Sequence, residues 1–568
     1  MVAIDPLDRL NIVGLESKWA FVGCWASAVA LLYLAGSPLG EPAVFPDEVC
    51  RLGWARFFSG TGPHFEMSPS SYCQPYYSLL LSPFFWFTSD SIAIHRGVFA
   101  VNTAIAAGCL PIAVRLGVRH FNLNIGTAWF AGLLILAYPS LTLYSYHAMP
   151  ETALFLGVLI SFSAWCAWVD RPDWPRFAAL LAMSFILFVL HRKMLVVPVV
   201  LIVGAIGGYW FVRTPEYRQR ALLSVLALCM AFLIDYWLKN ALFAKHFQGG
   251  DGGAVEMLAR FSSVRQIKNS IGISAGVLVY ATFITGGLIW LLLASGLENI
   301  RQAFRSGMGS LDKFTLKSGF AFGMVVLLVG VTAASFGSGS RFDIWFYGRH
   351  VDATLGAALL PVVAIIAEKR VTGSVLAWVL VLPMVTFIAL TAFNPGPPWS
   401  DFSQIHVIGA GSMMDRLFEA SRPWNLLAYC AAILALAGVI FLVRLPGLFR
   451  FSMIIPFLLV TATTHISTEP FSGIPLDEAV SESAAEILSG TDPCHIRYDT
   501  RGGGRFRLHQ YFRLQYHFPH CAIELTPPEK PIEPDSFVVV VKSFVDCGSG
   551  IECHDLHPDL VLYRTLGR

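Results

Sequence analysis

The sequence predicts a polytopic all-α membrane protein of about thirteen transmembrane helices, followed by a small extracytoplasmic α/β domain. Three observations lead there. Hydrophobic residues make up 55% of the 568 residues and charged residues 14%, where an ordinary soluble domain carries roughly 25% charged residues. Apolar runs approaching the roughly 20 residues that cross a bilayer recur along most of the chain, and the mean hydropathy is +0.60. After residue 465 the runs stop, and short strand-like and helix-like segments replace them. The formal net charge of +2 is scattered between apolar runs rather than gathered in a stripe. That distribution excludes nucleic acid as a partner and leaves the lipid bilayer as the main one.

Taken in order, the runs place spans at 19–36, 93–113, 126–144, 152–169, 177–194, 196–212, 221–239, 272–294, 318–336, 351–367, 373–392, 425–442 and 451–465. Tyr76–Thr88 is apolar but short, and reads as a helix lying at the interface. One alternate set of loops is basic, carrying Arg115 and Arg119, Arg171 and Arg176, Arg213 to Arg220, Arg301 to Lys317, and Lys369-Arg370. The positive-inside rule puts that set in the cytoplasm. An odd number of spans then makes the N-terminus cytoplasmic and the tail periplasmic or extracellular. No retention signal stands at Leu566-Gly567-Arg568, so the expected address is a bacterial inner membrane. The segment 19–36 also fits a signal peptide; reading it as a span keeps the following loop tethered at both ends. Residues 1–465 thus form the membrane domain, with a first outer loop at 37–92, and residues 466–568 form the tail.

Cysteine placement gives an independent reading of topology. Of the 11 cysteines, Cys24, Cys109, Cys166, Cys229 and Cys430 fall in spans, whereas Cys50, Cys73, Cys494, Cys521, Cys547 and Cys553 fall in outer segments. An even number of outer cysteines suits disulfides in an oxidising compartment. Cys50–Cys73 is one pairing that closes the first loop; the other four admit three pairings. Zinc is the competing reading, although the spacing lacks paired C-x-x-C knuckles.

In the tail, Leu476–Gly490 and Phe506–Phe518 read as helices, and Cys494–Tyr498, Ala522–Leu525, Phe537–Lys542 and Leu560–Tyr563 as strands. The run Phe537-Val538-Val539-Val540-Val541 suits a strand buried on both faces. The glycine-rich Arg501-Gly502-Gly503-Gly504-Arg505 matches no phosphate-binding pattern and reads as an ordinary loop.

Polar residues collect at the outer ends of the predicted spans. Asp47-Glu48 follow Pro46 in the first outer loop. Acids at the positive end of a proline-opened helix explain that placement. A carboxylate fixed there in a partly dry pocket can also take a proton from an attacking hydroxyl. Glu151 follows Pro150 in the same manner, with His147 nearby; those two could start a metal site, but two ligands do not complete one. His95-Arg96 stand at the entrance of the second span and His191-Arg192-Lys193 at the end of the fifth. Snorkelling to headgroups is their ordinary role; gripping a phosphate is the sharper one. Asp235 and Lys239 are spaced to pair along one helix face. Tyr347-Gly348-Arg349-His350 precedes the tenth span, where glycine permits a close turn beside a guanidinium.

Together these pieces resemble the GT-C superfamily of membrane glycosyltransferases, which includes protein O-mannosyltransferases, aminoarabinose lipid A transferases and mycobacterial arabinofuranosyltransferases. The resemblance rests on Asp47-Glu48 in the first outer loop, the helix-like Val49–Gly60 after it, and Pro75-Tyr76-Tyr77 before the interfacial segment. It extends to Arg96 in the second span, Glu151 before the fourth, Arg192-Lys193 after the fifth and Tyr347-Gly348-Arg349-His350 before a late one. Cys73-Gln74 stand where His before Pro is frequent in the family, so no acceptor contact is assigned there.

The resemblance implies transfer of a sugar from a polyprenyl-phosphate donor to a hydroxyl of a glycan, lipid or protein acceptor outside the cytoplasm, with inversion. It makes Asp47 the general base and Glu48 its helper, since two close carboxylates raise one pKa. His191, Arg192, Lys193, Arg96, Glu151, Tyr347 and Arg349 become the substrate-binding set, the cations facing the donor phosphate. No cofactor is certain; a divalent cation, Mg or Mn, at the carboxylates stays open, because some relatives use one and others do not. A transporter or lipid-linked sugar flippase is the main alternative, and a non-catalytic scaffold displaying the tail is a third.

Overall fold

The structure, a computed structural model, describes residues 18–36, 46–61, 74–212, 215–238, 263–306, 311–336, 347–393, 487–488, 495–499, 514, 521–526, 537–541, 551–557 and 560–565. The first helices are α1 (Lys18–Gly36) and α2 (Pro46–Ser59), followed by the single turns α3 (Ser78–Leu81) and α4 (Phe84–Phe87). The expected interfacial helix over 76–88 is therefore split, and the break falls at Ser82-Pro83 because proline supplies no N–H to continue the ladder. Helix α5 (Ser91–Ala107) runs on into α6 (Cys109–Phe121). Asp90 caps α5 by accepting from the N–H groups of Ile92 and Ala93, and Asn122, with φ +53°, closes α6 in the left-handed conformation.

The expected span at 126–144 is likewise two pieces, α7 (Ile125–Leu136) and α8 (Pro139–Tyr144), separated ahead of Pro139. Next come α9 (Glu151–Asp170) and α10 (Trp174–Leu190), a short 3₁₀ turn at Arg192–Leu195, α11 (Val196–Val212) and α12 (Pro215–Leu238). The largest departure from expectation lies at 272–294. That stretch is the end of α13 (Val264–Ile284) and the start of α14 (Ile289–Ser306), joined by a turn in which Gly286 and Gly287 have φ of +57° and +82°. Those angles suit glycine and end an α-helix, so continuous hydropathy hides a break. Then follow α15 (Lys313–Phe336), α16 (Asp352–Ala367) and α17 (Gly373–Phe393). The spans expected at 425–442 and 451–465 lie outside the described residues.

Among the described residues six helices are long and apolar enough to cross a membrane, and the shorter apolar helices include α7, α10 and α16. The protein is an integral membrane protein. Leu222, Leu226, Met230 and Leu233 of α12 are exposed, a stripe that water would penalise and lipid accepts. Helix α9 lies centrally, against α5, α6, α10, α15 and α16. Its Phe155, Leu159 and Phe162 belong to one buried core with Met324 of α15 and Leu359 of α16.

The tail holds a five-stranded sheet in the order β2-β1-β3-β5-β4, formed by β1 (His495–Asp499), β2 (Ala522–Thr526), β3 (Phe537–Val541), β4 (Ile551–His557) and β5 (Leu560–Thr565). β1 pairs in parallel with β2 and β3, while β5 is antiparallel to β3 and β4. Phe537 to Val540 are all buried, as a strand inside a sheet requires. β4 was not anticipated, because Ile551-Glu552-Cys553-His554-Asp555-Leu556-His557 is too polar to read as a strand until β5 is there to pair with it. Ile496, Tyr498, Ile523 and Phe537 share one buried apolar cluster with Leu52 and Ala55 of α2 and Tyr77 and Leu81 of the first loop. Cys24, Cys109, Cys166 and Cys229 are free thiols. Cys50, Cys521 and Cys553 are disulfide-bonded, but no bond joins two described cysteines, and the expected partner Cys73 lies outside the described residues.

Candidate active site

Pro46 opens α2, so Asp47 and Glu48 occupy its first turn. The Asp47 backbone is helical; its side chain lies outside the described residues. Glu48 is buried. Its Oε1 accepts a hydrogen bond from the backbone N–H of Ala148 at 2.8 Å, and its Oε2 lies 3.3 Å from Nδ1 of His147. The carboxylate thus clips the start of α2 to the turn between α8 and α9. His147 is fixed on its other side, where its carbonyl accepts from Asn102 Nδ2 at 2.7 Å and Asn102 Oδ1 accepts from the Tyr77 hydroxyl at 2.7 Å.

Three residues beyond Ala148, Glu151 begins α9 after Pro150. It is buried, and so are Lys193 and Arg349. Arg349 Nε donates to Glu151 Oε1 at 2.6 Å, Lys193 Nζ lies 3.5 Å from the same oxygen, and Lys193 Nζ donates to the Arg349 carbonyl at 3.1 Å. Two cations around one carboxylate leave the cluster net positive. His147 turns to Glu48 and Glu151 turns to the cations, so these two side chains do not face a common point. Among the described residues no three His, Cys, Asp or Glu side chains converge on a common point.

The connector after α10 is built to present Lys193. His191 is extended, and its Nδ1 accepts from the Lys193 N–H at 3.2 Å. Its ring meets that of His350 edge to face at 6.2 Å, and Tyr347 packs on His350 at 4.5 Å. Burial holds the His191 imidazole well below its ordinary pKa, and the adjacent Lys193 ammonium adds to that shift. Burial likewise pulls Lys193 down to about 8, although the Glu151 carboxylate opposes the change.

Arg192 points elsewhere. Its Nε and Nη2 donate to Asp235 Oδ2 at 2.9 and 2.7 Å, and its backbone N–H donates to Gln74 Oε1 at 2.6 Å. Asp235 thus takes a partner from another element; Lys239, with which it was expected to pair, lies outside the described residues. Arg96 stands apart from the cluster, exposed on α5 and without a hydrogen bond or ion pair to a described residue.

Two parts of the site were not read from the sequence. Asp352, fully buried at the start of α16, accepts from the hydroxyls of Tyr138 (3.0 Å), Tyr280 (2.9 Å) and Tyr144 (3.5 Å). An acid three residues after Arg349, at the head of an apolar run, was the available signal. Gly348 serves a close approach rather than a left-handed turn: a methyl group built there would overlap the Tyr280 ring. Gln74 is the other, since a glutamine beside Pro75 carries no distinctive pattern.

No protein-family model matches the sequence, and no curated protein matches it either. Solved structures do match. ArnT from Cupriavidus metallidurans bound to undecaprenyl phosphate is 14% identical, with a TM-score of 0.47, over 97% of this chain and 100% of that one. The arabinosyltransferase EmbB from Mycobacterium smegmatis is 14% identical, with a TM-score of 0.39, over 86% of this chain and 44% of its own length. The oligosaccharyltransferase of Archaeoglobus fulgidus in its apo form is 9% identical, with a TM-score of 0.44, over 93% and 70%.

Proposed function

We propose that this protein is a membrane glycosyltransferase that moves a sugar from a polyprenyl-phosphate donor to an acceptor hydroxyl on the extracytoplasmic side. The observation that carries the reading is the buried Glu151–Arg349–Lys193 cluster, joined through five residues of backbone to the helix that bears Asp47 and Glu48. A buried net-positive cluster suits the phosphate of the donor, and an acid at the head of α2 suits the acceptor.

In this reading the Asp47 carboxylate takes the acceptor proton as the acceptor oxygen bonds to the anomeric carbon. The bond from that carbon to the phosphate oxygen breaks on the opposite face, which inverts the configuration. Its electron pair leaves on polyprenyl phosphate, whose charge Lys193 and Arg349 offset. Phosphate departs readily, so no general acid is required. Glu48 acts as a positioning residue, because its carboxylate is committed to Ala148 and His147. Arg192 and Arg96 serve the donor from the periphery, and Tyr347 and His191 shape the wall beside Lys193. A divalent cation, Mg or Mn, would be held at Asp47 and Glu48 if one binds, and no step here depends on such an ion. A bacterial inner membrane, with the sheet-bearing tail outside, completes the proposal.

The test is sugar transfer from a panel of polyprenyl-phosphate sugars by purified protein, with Asp47→Asn alongside. The expected result is turnover that falls by about a hundredfold or more in the variant while donor binding is retained. Saturable lipid binding without turnover, unchanged by the substitution, would overturn the proposal in favour of a flippase.

A further inference from the structure

Asp352 is the first residue of α16. An acid in the first turn of a helix ordinarily answers that helix's own free N–H groups. Asp352 instead accepts from other elements. Its Oδ1 accepts from Tyr138, at the head of α8, at 3.0 Å and from Tyr280 of α13 at 2.9 Å. Its Oδ2 accepts from Tyr280 at 3.1 Å and lies 3.5 Å from the hydroxyl of Tyr144 at the end of α8. The carboxylate is fully buried, and among the described residues no lysine, arginine or histidine forms an ion pair with it. A buried acid without a cation is costly, and apolar side chains could join the same three elements without that cost. Packing alone therefore leaves the carboxylate and its hydroxyls unexplained.

What the carboxylate holds is a turn. The Gly348 carbonyl accepts from the N–H groups of Val351 at 2.8 Å and Asp352 at 3.0 Å, which closes the chain from 348 to 352. Tyr280 grips both ends of that turn. Its ring lies against Gly348, where a methyl group would not fit, and its hydroxyl reaches both oxygens of Asp352. Arg349 lies within the turn. Its Nε donates to Glu151 at 2.6 Å and its carbonyl accepts from Lys193 at 3.1 Å. Tyr138 and Tyr144 belong to the segment that leads on to His147 and Glu151. The three hydroxyls thus set the turn carrying Arg349 against the segment carrying Glu151.

On the reading of the Glu151–Arg349–Lys193 cluster as the phosphate site, we propose that Asp352 is a positioning residue for the donor: its hydroxyl-bound carboxylate fixes the turn that aims Arg349, and the carbonyl that takes Lys193, at the polyprenyl phosphate. Asp352 itself touches no phosphate. With its oxygens committed to tyrosines, it acts through the backbone of 348–352. Releasing that turn widens the spread of Arg349 positions, and a phosphate grip by paired donors tolerates little spread. The acceptor, bound at the head of α2, is left alone.

The experiment uses the full-length protein in detergent, with binding of a sugar-free polyprenyl phosphate titrated beside steady-state transfer and thermal unfolding. Asp352→Ala is expected to weaken polyprenyl phosphate binding and to raise the donor KM, each by about tenfold, with the acceptor KM unchanged. Asp352→Asn keeps one acceptor oxygen for Tyr138 and Tyr280 and should recover most of the loss. Tyr280→Phe removes one oxygen atom and should act in the same direction. In the Asp352→Ala background it should add little, since both changes open one network. Should Asp352→Ala fail to fold, Tyr138→Phe/Tyr280→Phe carries the same expectation. Donor and acceptor KM rising together overturns the role of Asp352, and so do folded Asp352 and tyrosine variants that keep wild-type donor affinity while Arg349→Met has lost it. Wild type without affinity for polyprenyl phosphate, or Arg349→Met that binds it as wild type does, overturns the phosphate site itself and the role of Asp352 with it.

Discussion

Arg349 and Glu151 meet at 2.6 Å across 198 residues of sequence, both buried, and between them they fix the relation of α16 to α9. Charges inside a protein persist only as partners, since removing one strands the other at a cost of about 3–5 kcal/mol. Glu151→Gln, which strands both Arg349 and Lys193, should therefore lower thermal stability steeply and abolish donor binding. Glu151→Gln combined with Arg349→Met should cost less than the two single changes added together. Heat denaturation of the four proteins in one detergent measures this directly.

On the proposed function, Lys193 gives the donor site a pH dependence whose sign is fixed. Its ammonium titrates at about 8 because it is buried, so it is charged below that value and neutral above it. Donor affinity should hold steady below pH 8 and fall above it, approaching about tenfold per pH unit. Stability runs the other way. The folded value lies below the ordinary 10.5, so the penalty of burying the charge is complete below about 8 and is relieved as pH rises from there to 10.5. Lys193→Arg keeps its charge throughout and should flatten the binding profile, as a fluorescence titration of donor across the alkaline range will show.

Glu48→Gln tests positioning against chemistry. The amide can still accept from Ala148 N–H at Oε1, but the carboxylate oxygen beside His147 Nδ1 is lost. Small displacements of a reacting group can cost about a hundredfold in rate, so turnover should drop strongly while donor dissociation constant and thermal midpoint change little. A loss of donor binding would instead mean that Glu48 touches the donor.

Gly348 and Gly373 form a matched pair. An added methyl at Gly348 meets the Tyr280 ring, whereas at Gly373 nothing lies within 4 Å. Gly348→Ala should destabilise by about 1–3 kcal/mol and displace Arg349 from Glu151, seen as lost donor binding. Gly373→Ala, in the first turn of α17, should be neutral in both assays.

Much of this candidate site is legible in the sequence. Glu151, Lys193 and Arg349 were each marked by the same signal, a charge at the mouth of an apolar run, and the fold brings all three onto one oxygen and its neighbours. Position along a span says nothing about direction, however. Arg96 carried that signal too and faces outward, while Arg192 is drawn to Asp235. The tyrosines around Asp352 were invisible because each reads alone as an interfacial aromatic, and only packing of α8, α13 and α16 makes them a cage. Helix breaks were hidden for a related reason: hydropathy averages over a window and is blind to backbone angles, so Gly286 and Gly287 looked like any small residues in an apolar run.

The stretch from His147 to Glu151 holds a carboxylate at each end of its reach, Glu48 arriving from one side and Arg349 with Lys193 from the other. Five residues, two of them proline and methionine, offer little slack. A ligand that draws Arg349 or Lys193 toward itself loosens Glu151, and through this short strut it shifts the seat of α2. On the proposed function, the donor site at Glu151 and the acceptor site at the head of α2 would be coupled mechanically through this strut, so that filling one would reset the readiness of the other.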